Sequence, residues 1–560
     1  MPLDGDFGSG LLFVLVSGSW AGWLTHPGGP VRSGFVVFVR KSPGRSGATK
    51  VQIAERRDGR DVVLEHVGTA RDEAELVALM VVARRKVYPG QGELPLDGLS
   101  GHAVVECAGR AGQAVITHKT NAVLWQVLRT GYERLGFDVL EDDAFAQLVL
   151  ARIVEPASKA DSLRVLDDLG VRHASLRTMF RSLHRAQERD YRAALASACF
   201  AHACADGDVS LCLYDVTTLY FEAEKEDPDT GGKTGLRKVG YSKERRVDPQ
   251  VVVGLLVDRR GFPLEIGCFE GNKAETLTIL PIIKQFQARH NIADMVVVAD
   301  ATNLKDLDEA DLRFIVGSRV TKAPVDLESH FRWHGDAFSD GQIIDTITPK
   351  NRRSIENNPK HKLEPIWDPE QHPGSWRAVW AYSAKRAVRD NKTLTAQENR
   401  ARAVVDGEKT AKPPRFVKTT NGTRSLDETS LARARRLVGL KGYVTNIGAE
   451  LMPPGEVIAS YHDLWRVGQS FRMSKTDLRA RPMFHHTRDA IEAHLTIVFA
   501  ALAVARHLQE VTGLSVRKIV QTLRPLQQIT VRIAGHEHAA HDPLTPPAQE
   551  ILHALNIDPN

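Results

Sequence analysis

The sequence has few cysteines and no long apolar run near its start. Its 560 residues include 5 cysteines without Cys-x-x-Cys spacing, so neither a disulfide framework nor a zinc module is indicated, and a reducing compartment is favoured. The run Leu11–Val16 is far shorter than the roughly 20 residues that a membrane span needs. Asp4 and Asp6 stand where a signal peptide would carry basic residues. We therefore expect a cytoplasmic protein without a membrane partner.

The chain also has little excess of either charge. Its 74 Lys and Arg residues and 69 Asp and Glu residues leave a net charge of only +5. Basic residues are nevertheless dense in Lys233–Arg246 and Arg472–Arg488, which permits contact with nucleic acid without establishing it. With 42% hydrophobic and 26% charged residues, the composition is that of a globular protein and not of a disordered one.

The length predicts more than one domain, because single cores rarely exceed about 250–300 residues. Helical periodicity is strongest in Asp72–Val87, Ala122–Leu135, Asp142–Val154 and His173–Gln187. Changes in composition predict a non-native Gly- and Pro-rich leader (1–35), a small β meander plus helix (36–110), a helical DNA-binding region (111–208), a first core part (209–319), a β-rich insertion (320–450), a second core part (451–515) and a loosely attached C-terminal tail (516–560).

Residues 158–186 have the length and the central glycine, Gly170, of a helix-turn-helix. Arg177, Arg181 and Arg185 recur every four residues along one face of its second helix, where they would reach DNA phosphates. A solvated face of an ordinary helical bundle explains the same pattern equally well. Both interpretations stay open at this point.

An acidic residue interrupts the strand-like run Leu211–Glu222, which reads LCLYDVTTLYFE. Apolar and polar residues alternate around Asp215, and β-branched residues follow it, which is typical of a strand. A half-buried carboxylate is costly unless it is paired, although an exposed Asp at a strand end would also fit this run.

A second run, Met295–Asp300, repeats the pattern: four apolar residues and an alanine deliver Asp300 at the end of a buried strand. We expect Asp215 and Asp300 to converge at the carboxyl ends of adjacent strands. Two carboxylates on a rigid frame predict a hard-cation site for magnesium or manganese.

The elements between and after these two runs predict an α/β fold with an RNase H-like mixed-sheet core. Strands are expected at Pro249–Asp258, Phe262–Phe269 and Leu312–Ser318, with a helix at Glu275–His290. The segment from about Arg319 to Ile447 is rich in tryptophan, proline and charged turns and predicts an inserted, mostly β subdomain, closed by a strand at Leu440–Asn446.

The pattern Glu456–Asp477 predicts one long helix, which the apolar helix Ala490–Thr512 follows. Along the first of these, residues recur at spacings of three, four and seven and so share one face. They are Tyr461, Leu464, Trp465, Gly468, Phe471, Arg472 and Lys475.

The runs around Asp215 and Asp300, the strands between them and the face from Tyr461 to Lys475 carry a family resemblance. Over residues 36–515 the chain resembles the DDE transposases of bacterial insertion sequences, whose third motif is Tyr-x2-Arg-x3-Glu-x6-Lys. The slots here are Tyr461, Leu464, Gly468 and Lys475. The resemblance implies that Asp215 and Asp300 are catalytic and bind metal, with two Mg or Mn ions in an intact site. It also implies DNA contacts by Tyr461, Arg472 and Lys475, double-stranded DNA partners (terminal inverted repeats and target), a homodimer on DNA and a location at the nucleoid.

The chain departs from the family pattern in two places. Gly468 occupies the slot of the third catalytic acid, Glu, and the nearest acids, Asp463 and Asp477, lie about 140° and 180° around a regular helix from it. The loop after Asp300 is shorter than that of relatives. Two functions therefore remain: a transposase that cuts and transfers strands, or a catalytically defective DNA-binding remnant or regulator. A cellular RNase H-like nuclease or resolvase fits less well, because it would not explain the insertion.

Overall fold

The computed structural model describes residues 37–43, 48–57, 60–71, 73–87, 114–207, 209–223, 225–229, 234–241, 247–300, 303–351, 360, 362–408, 414–533 and 536–558. The proposed leader (1–35) and part of the basic run Lys233–Arg246 lie outside these residues. The chain divides into two compact units, 1–111 and 112–560.

The first unit contains the predicted meander and helix. Strands β1 (Val37–Pro43), β2 (Thr49–Arg57) and β3 (Arg60–Ala70) form an antiparallel sheet in that order, and helix α1 (Glu73–Val87) packs against it. The alternation of β2 turns Val51 and Ile53 toward α1, where they are buried with Ala83.

The second unit begins with β4 (Val115–Thr120) and a group of helices. These are α2 (Ala122–Arg134), α3 (Asp143–Val154), α4 (Asp161–Asp168), α5 (Leu176–Glu188) and α6 (Tyr191–Asp206). All of them except α4 pack against one long apolar helix, Arg488–Thr512. By length and composition that helix could cross a membrane, but 89% of its most apolar window is buried in the structure, as in the central helix of a globular core.

A mixed sheet forms the centre of this unit. Its first five strands are β5 (Leu211–Tyr220), β6 (Gln250–Asp258), β7 (Pro263–Glu270), β8 (Val296–Ala299) and β9 (Arg313–Ser318). They lie in the order β7-β6-β5-β8-β9, with β5, β8 and β9 parallel and β6 and β7 antiparallel. Every residue of β6 is buried, as in a strand covered on both faces. The arrangement is consistent with the predicted RNase H-like core.

Helices α7 (Ile279–His290) and α8 (Leu304–Glu309) connect these strands. A short 3-10 turn, Glu275–Leu277, precedes α7, so the helix predicted from residue 275 begins four residues later. The buried residues of α7 recur at three- and four-residue spacing, and the helix packs on β6 and β7.

The insertion is not the separate, mostly β subdomain that we expected. Its strands β10 (Ile343–Pro349), β11 (Ser375–Tyr382) and β14 (Leu440–Thr445) extend the central sheet beyond β9 to eight strands. Its longest element is a helix, α11 (Ala384–Val405). The Ala- and Arg-rich composition of that stretch favours a helix, and Leu394, Ala401 and Val404 bury one face of it.

The other insertion elements are the short helices α9 (Ala323–Asp326) and α10 (Glu328–Trp333), the hairpin β12 (Val417–Thr420) and β13 (Thr423–Leu426), and helix α12 (Glu428–Arg436).

The C-terminal residues form part of the core and are not a loose tail. After α13 (Pro454–His462), α14 (Trp465–Thr476) and α15 (Arg488–Thr512), the chain forms α16 (Val516–Leu523), β15 (Gln528–Ile533), β16 (His536–His541) and α17 (Pro546–Ala554). Strand β15 pairs with β4, and α17 packs on α15 and α16. Ile551 and Leu552 of this helix, and Leu555 directly after it, are buried, which the sparse spacing of apolar residues in this stretch did not indicate.

Candidate metal and DNA site

Asp215 and Asp300 lie on adjacent parallel strands. The β5–β8 register pairs Leu211 with Val296 and continues to Tyr214 with Ala299. The next residues along the two strands are Asp215 and Asp300, and the charges of both act on the pKa of the same side chain, Tyr461. Neighbouring strands are about 4.8 Å apart, so the register places these two residues near each other.

One detail of the expected arrangement was wrong, because Asp215 is in the middle of β5 and not at its end. The strand continues to Tyr220 because its other edge pairs with β6, from Cys212 opposite Asp258 to Tyr220 opposite Gln250. Asp215 is half-buried and its Oδ1 accepts a hydrogen bond from the Val216 amide at 2.8 Å.

The hydroxyl of Tyr461 binds the exposed Asp300 directly. It donates a hydrogen bond to Asp300 Oδ1 and accepts one from Lys441 Nζ at 3.2 Å. Burial, and then the bond to Asp300, raises the pKa of Tyr461, so this phenol stays a donor. Burial lowers the pKa of Lys441, while the nearby Asp300 opposes that change. The family pattern singled out Tyr461 but gave no indication of Lys441, which comes from β14 of the insertion.

The backbone of β9 makes room for this contact. A Cβ atom at Gly317 would lie 2.6 Å from the Tyr461 hydroxyl oxygen and 3.1 Å from Lys441 Nζ. The first distance is shorter than real Cβ contacts and the second is tight, so a side chain at this position would displace the Tyr461 hydroxyl and glycine is favoured. The Tyr443 ring stands edge-on to the Tyr461 ring at 4.9 Å and helps to fix its position.

The predicted single helix of the third motif is two helices, α13 and α14, separated by a turn at Asp463 and Leu464. The carboxylate of Asp463 accepts hydrogen bonds from Arg259 at 3.2 Å and from Arg466 at 3.3 Å. The helical angle that we assigned to Asp463 does not hold across this turn. Because its carboxylate is already paired with two arginines, Asp463 is a poor candidate for the third metal ligand.

Gly468 lies on the exposed face of α14, between the buried residues Val467 and Ser470. A Cβ atom there would meet nothing within 4 Å, so the helix accepts a larger side chain at this position. The buried face of α14 packs on β5 and β6, so the helix lies against the strand that bears Asp215.

The side chains predicted to contact DNA differ in how accessible they are to a phosphate group. Arg472, Arg177 and Arg181 are exposed, and Lys475 is half-buried at the edge of a small apolar cavity that Thr217 also lines. Arg185 is not available for a phosphate, since its guanidinium binds Asp142 Oδ2 at 2.6 and 2.9 Å. The stripe of three arginines predicted for this helix therefore reduces to two.

A cavity of about 320 Å³ opens beside Asp300, between the core strands and the insertion. Basic side chains from both sides line it, and Lys350 Nζ lies 5.5 Å from the centre of the Trp376 ring. The basic lining residues are Arg319, Lys322 and Lys350.

The donor set fits one hard cation better than two. Asp215 and Asp300 supply carboxylate oxygens on one rigid frame, as Mg²⁺ requires. Among the residues that the structure describes, no group of three or more His, Cys, Asp or Glu side chains is placed to hold a metal ion.

No curated protein matches the chain, but a known protein family does. The family model described as a transposase DDE domain matches residues 210–504, from the start of β5 into α15, which is more than half of the chain. Members of this family generally use divalent metal ions. The chain therefore belongs to the DDE transposase family.

Proposed function

We propose that this chain acts as the transposase of a bacterial insertion sequence. It binds the terminal inverted repeats as a homodimer in the cytoplasm, at the nucleoid, and catalyses metal-dependent DNA strand cleavage and transfer. The observation that carries the proposal is the register that sets Asp215 beside Asp300 on parallel strands inside the matched region.

Each residue at the site has a part in this proposal. Asp215 and Asp300 hold Mg²⁺ or Mn²⁺, and Tyr461, itself held by Lys441, fixes the orientation of the Asp300 carboxylate. Divalent ions, when bound, activate the attacking water or 3′-hydroxyl and stabilise the leaving oxygen in an in-line displacement. Exposed Arg472 and the arginines Arg177 and Arg181 contact DNA phosphates, which position the duplex without reading its sequence.

A second candidate function is DNA binding without cleavage, as in a defective remnant or regulator. Gly468 favours it, because the slot of the third acid carries no side chain. A two-ion site without that carboxylate loses its main anionic ligand for the second ion. Phosphate contacts do not depend on the metal site, so binding outlasts cleavage.

The test uses a labelled duplex that carries the terminal repeat flanking the coding sequence. A gel-shift titration over a salt series measures binding, and incubation with Mg²⁺ or Mn²⁺ measures nicking. Nicking that Asp215→Asn abolishes supports the enzyme. Salt-sensitive, end-specific binding without nicking supports the second candidate, and no end-specific binding at low salt contradicts both.

A further inference from the structure

Four basic side chains meet away from the Asp215–Asp300 site. Arg152 is on α3, Lys159 is on the loop that follows it, His485 is on the segment before α15, and His494 is on α15. Arg152 and His494 are buried, with 8% and 5% of their surfaces exposed. Lys159 and His485 are half-buried, so the cluster reaches the surface.

The ammonium group of Lys159 lies between the two imidazoles. Its Nζ is 2.6 Å from His485 Nε2 and 3.3 Å from His494 Nδ1. His494 also hydrogen-bonds the backbone of Ala480, which fixes its ring and leaves Nδ1 directed at Lys159. The cluster is thus held in place from three separate segments of the chain.

Arg152 adds a buried charge to this group. Its Nη2 donates to the Arg479 carbonyl at 2.7 Å, while its buried Nε has no hydrogen-bond partner among the described residues. A buried guanidinium is ordinarily paired with a carboxylate. Within the described part of the chain, the side-chain charges that act on the pKa values of this cluster are all basic: Arg152, Lys159, His485 and the exposed His486.

Crowding of like charges and burial keep the cluster below its full charge. Burial, and then Arg152, lowers the pKa of Lys159 to about 7. Burial, and then Lys159, lowers the pKa of His485 to about 4, and His494 shifts in the same direction. An anion placed here would restore these protons, because opposite charge favours the charged form.

We propose that Arg152, Lys159, His485 and His494 form a binding site for a phosphate group. The unused Nε of Arg152 and the Lys159 ammonium supply N–H donors that match the oxygens of a phosphate, while His485 and His494 hold the ammonium in place. A metal ion does not fit, since Arg152 and Lys159 would repel it. The assignment of the phosphate to a DNA backbone rests on the proposed function; the anion site itself does not.

Placement favours the DNA backbone as the source. Lys159 belongs to the loop that begins the helix-turn-helix segment, and His485 follows the third-motif helix that carries Arg472. One phosphate bound here would contact both the helix-turn-helix segment and the segment that follows the third-motif helix. The side chains of Phe484 and His486, next to His485 in the sequence, are exposed to solvent.

Orthophosphate at constant ionic strength is the first probe, with the melting temperature of the full chain as the readout. Lys159→Met and His485→Gln are compared with Lys518→Met, which removes the same charge from an exposed position on α16. We expect phosphate to raise the melting temperature of the wild type and of Lys518→Met, and to have little effect on the two cluster variants. Equal rises in all four proteins would overturn the phosphate site.

DNA is the second probe. If the wild type binds its terminal repeat, Lys159→Met should weaken binding roughly 10-fold and reduce the salt slope by about one, as for the loss of one phosphate contact. Unchanged DNA affinity, together with phosphate stabilisation, would overturn the DNA source and assign the site to free phosphate. No DNA binding by the wild type would contradict the proposed function, while the orthophosphate result would still decide the anion site.

Discussion

Tyr461 donates a hydrogen bond to Asp300 and so ties α13 to the end of β8. The two residues are far apart in the sequence and come from opposite sides of the insertion. Lys441 completes the contact from the last strand of that insertion, 3.2 Å from the Tyr461 hydroxyl. The insertion therefore takes part in orienting a candidate metal ligand.

The first prediction concerns this contact. Tyr461→Phe keeps the ring but removes the bond to Asp300, and we expect a roughly 10-fold loss of Mn²⁺ affinity because outer hydrogen bonds orient ligand carboxylates. Isothermal titration measures it. Tyr443→Phe is the matched control, because its hydroxyl lies 3.2 Å from His462 Nε2 and not on Asp300. Equal losses in both variants would show that the Tyr461 hydroxyl has no specific effect on the metal.

The second prediction separates the arginines of α5. Arg177→Ala and Arg181→Ala should weaken DNA binding with little change in stability, because both side chains are exposed. Arg185→Ala should instead lower the free energy of unfolding by about 2 kcal/mol, since it leaves the buried carboxylate of Asp142 without its charged partner. Urea unfolding and gel shifts check the two effects, and the reverse assignment would contradict the structure.

The same ion pair predicts a pH dependence. Burial alone would raise the pKa of Asp142, but hydrogen bonds from Arg185, Ser182 and Tyr191 outweigh it and lower the pKa below its ordinary value. A depressed folded-state pKa gives stability that is present above the unfolded value, about 3.9, and lost as pH falls through the folded one. In Arg185→Ala this acid-induced loss should begin at higher pH than in the wild type. Coincident acid-unfolding curves would contradict the assignment.

Asp326 should show the opposite sign. Burial raises its pKa to about 7, although hydrogen bonds from Thr348 and Trp380 oppose the shift. Because the folded protein holds this proton more tightly, stability should fall as pH rises from about 4 to 7 and then level off. Asp326→Asn should flatten the curve over that window. A wild-type and a variant protein with the same pH profile would show that Asp326 does not titrate there.

Local sequence patterns predicted the centre of the fold well. The run Met295–Asp300 is apolar enough to be a buried strand, and β8 begins one residue inside it and ends at Ala299. The alternation around Asp215 predicted a strand over Leu211–Glu222, and β5 covers Leu211–Tyr220. The expected position of Asp215 at the strand end was wrong, because β5 stays paired with β6 beyond it, and local composition does not encode pairing with a partner distant in sequence.

The contacts that complete the candidate site were beyond local patterns. Lys441 reaches Tyr461 only because β14 pairs with β9, a neighbour across the whole insertion. The turn at Asp463 and Leu464 breaks a periodicity that continues through the sequence, so one helix was expected where two exist. Arg185 shared the spacing of Arg177 and Arg181, and its partner Asp142 lies on another segment.

The most direct test of the account is magnesium or manganese binding by isothermal titration, with nicking of a labelled terminal repeat, for wild type, Gly468→Glu and Gln469→Glu. Gly468 is open to solvent and accepts the new side chain, whereas Gln469 lies about 100° around the helix and already binds Arg506. We predict weak metal binding by the wild type, tighter binding and at most weak nicking by Gly468→Glu, and no gain for Gln469→Glu. Equal metal binding by all three proteins, or robust cleavage by the unaltered chain, would contradict the proposal that position 468 is the slot of the missing ligand.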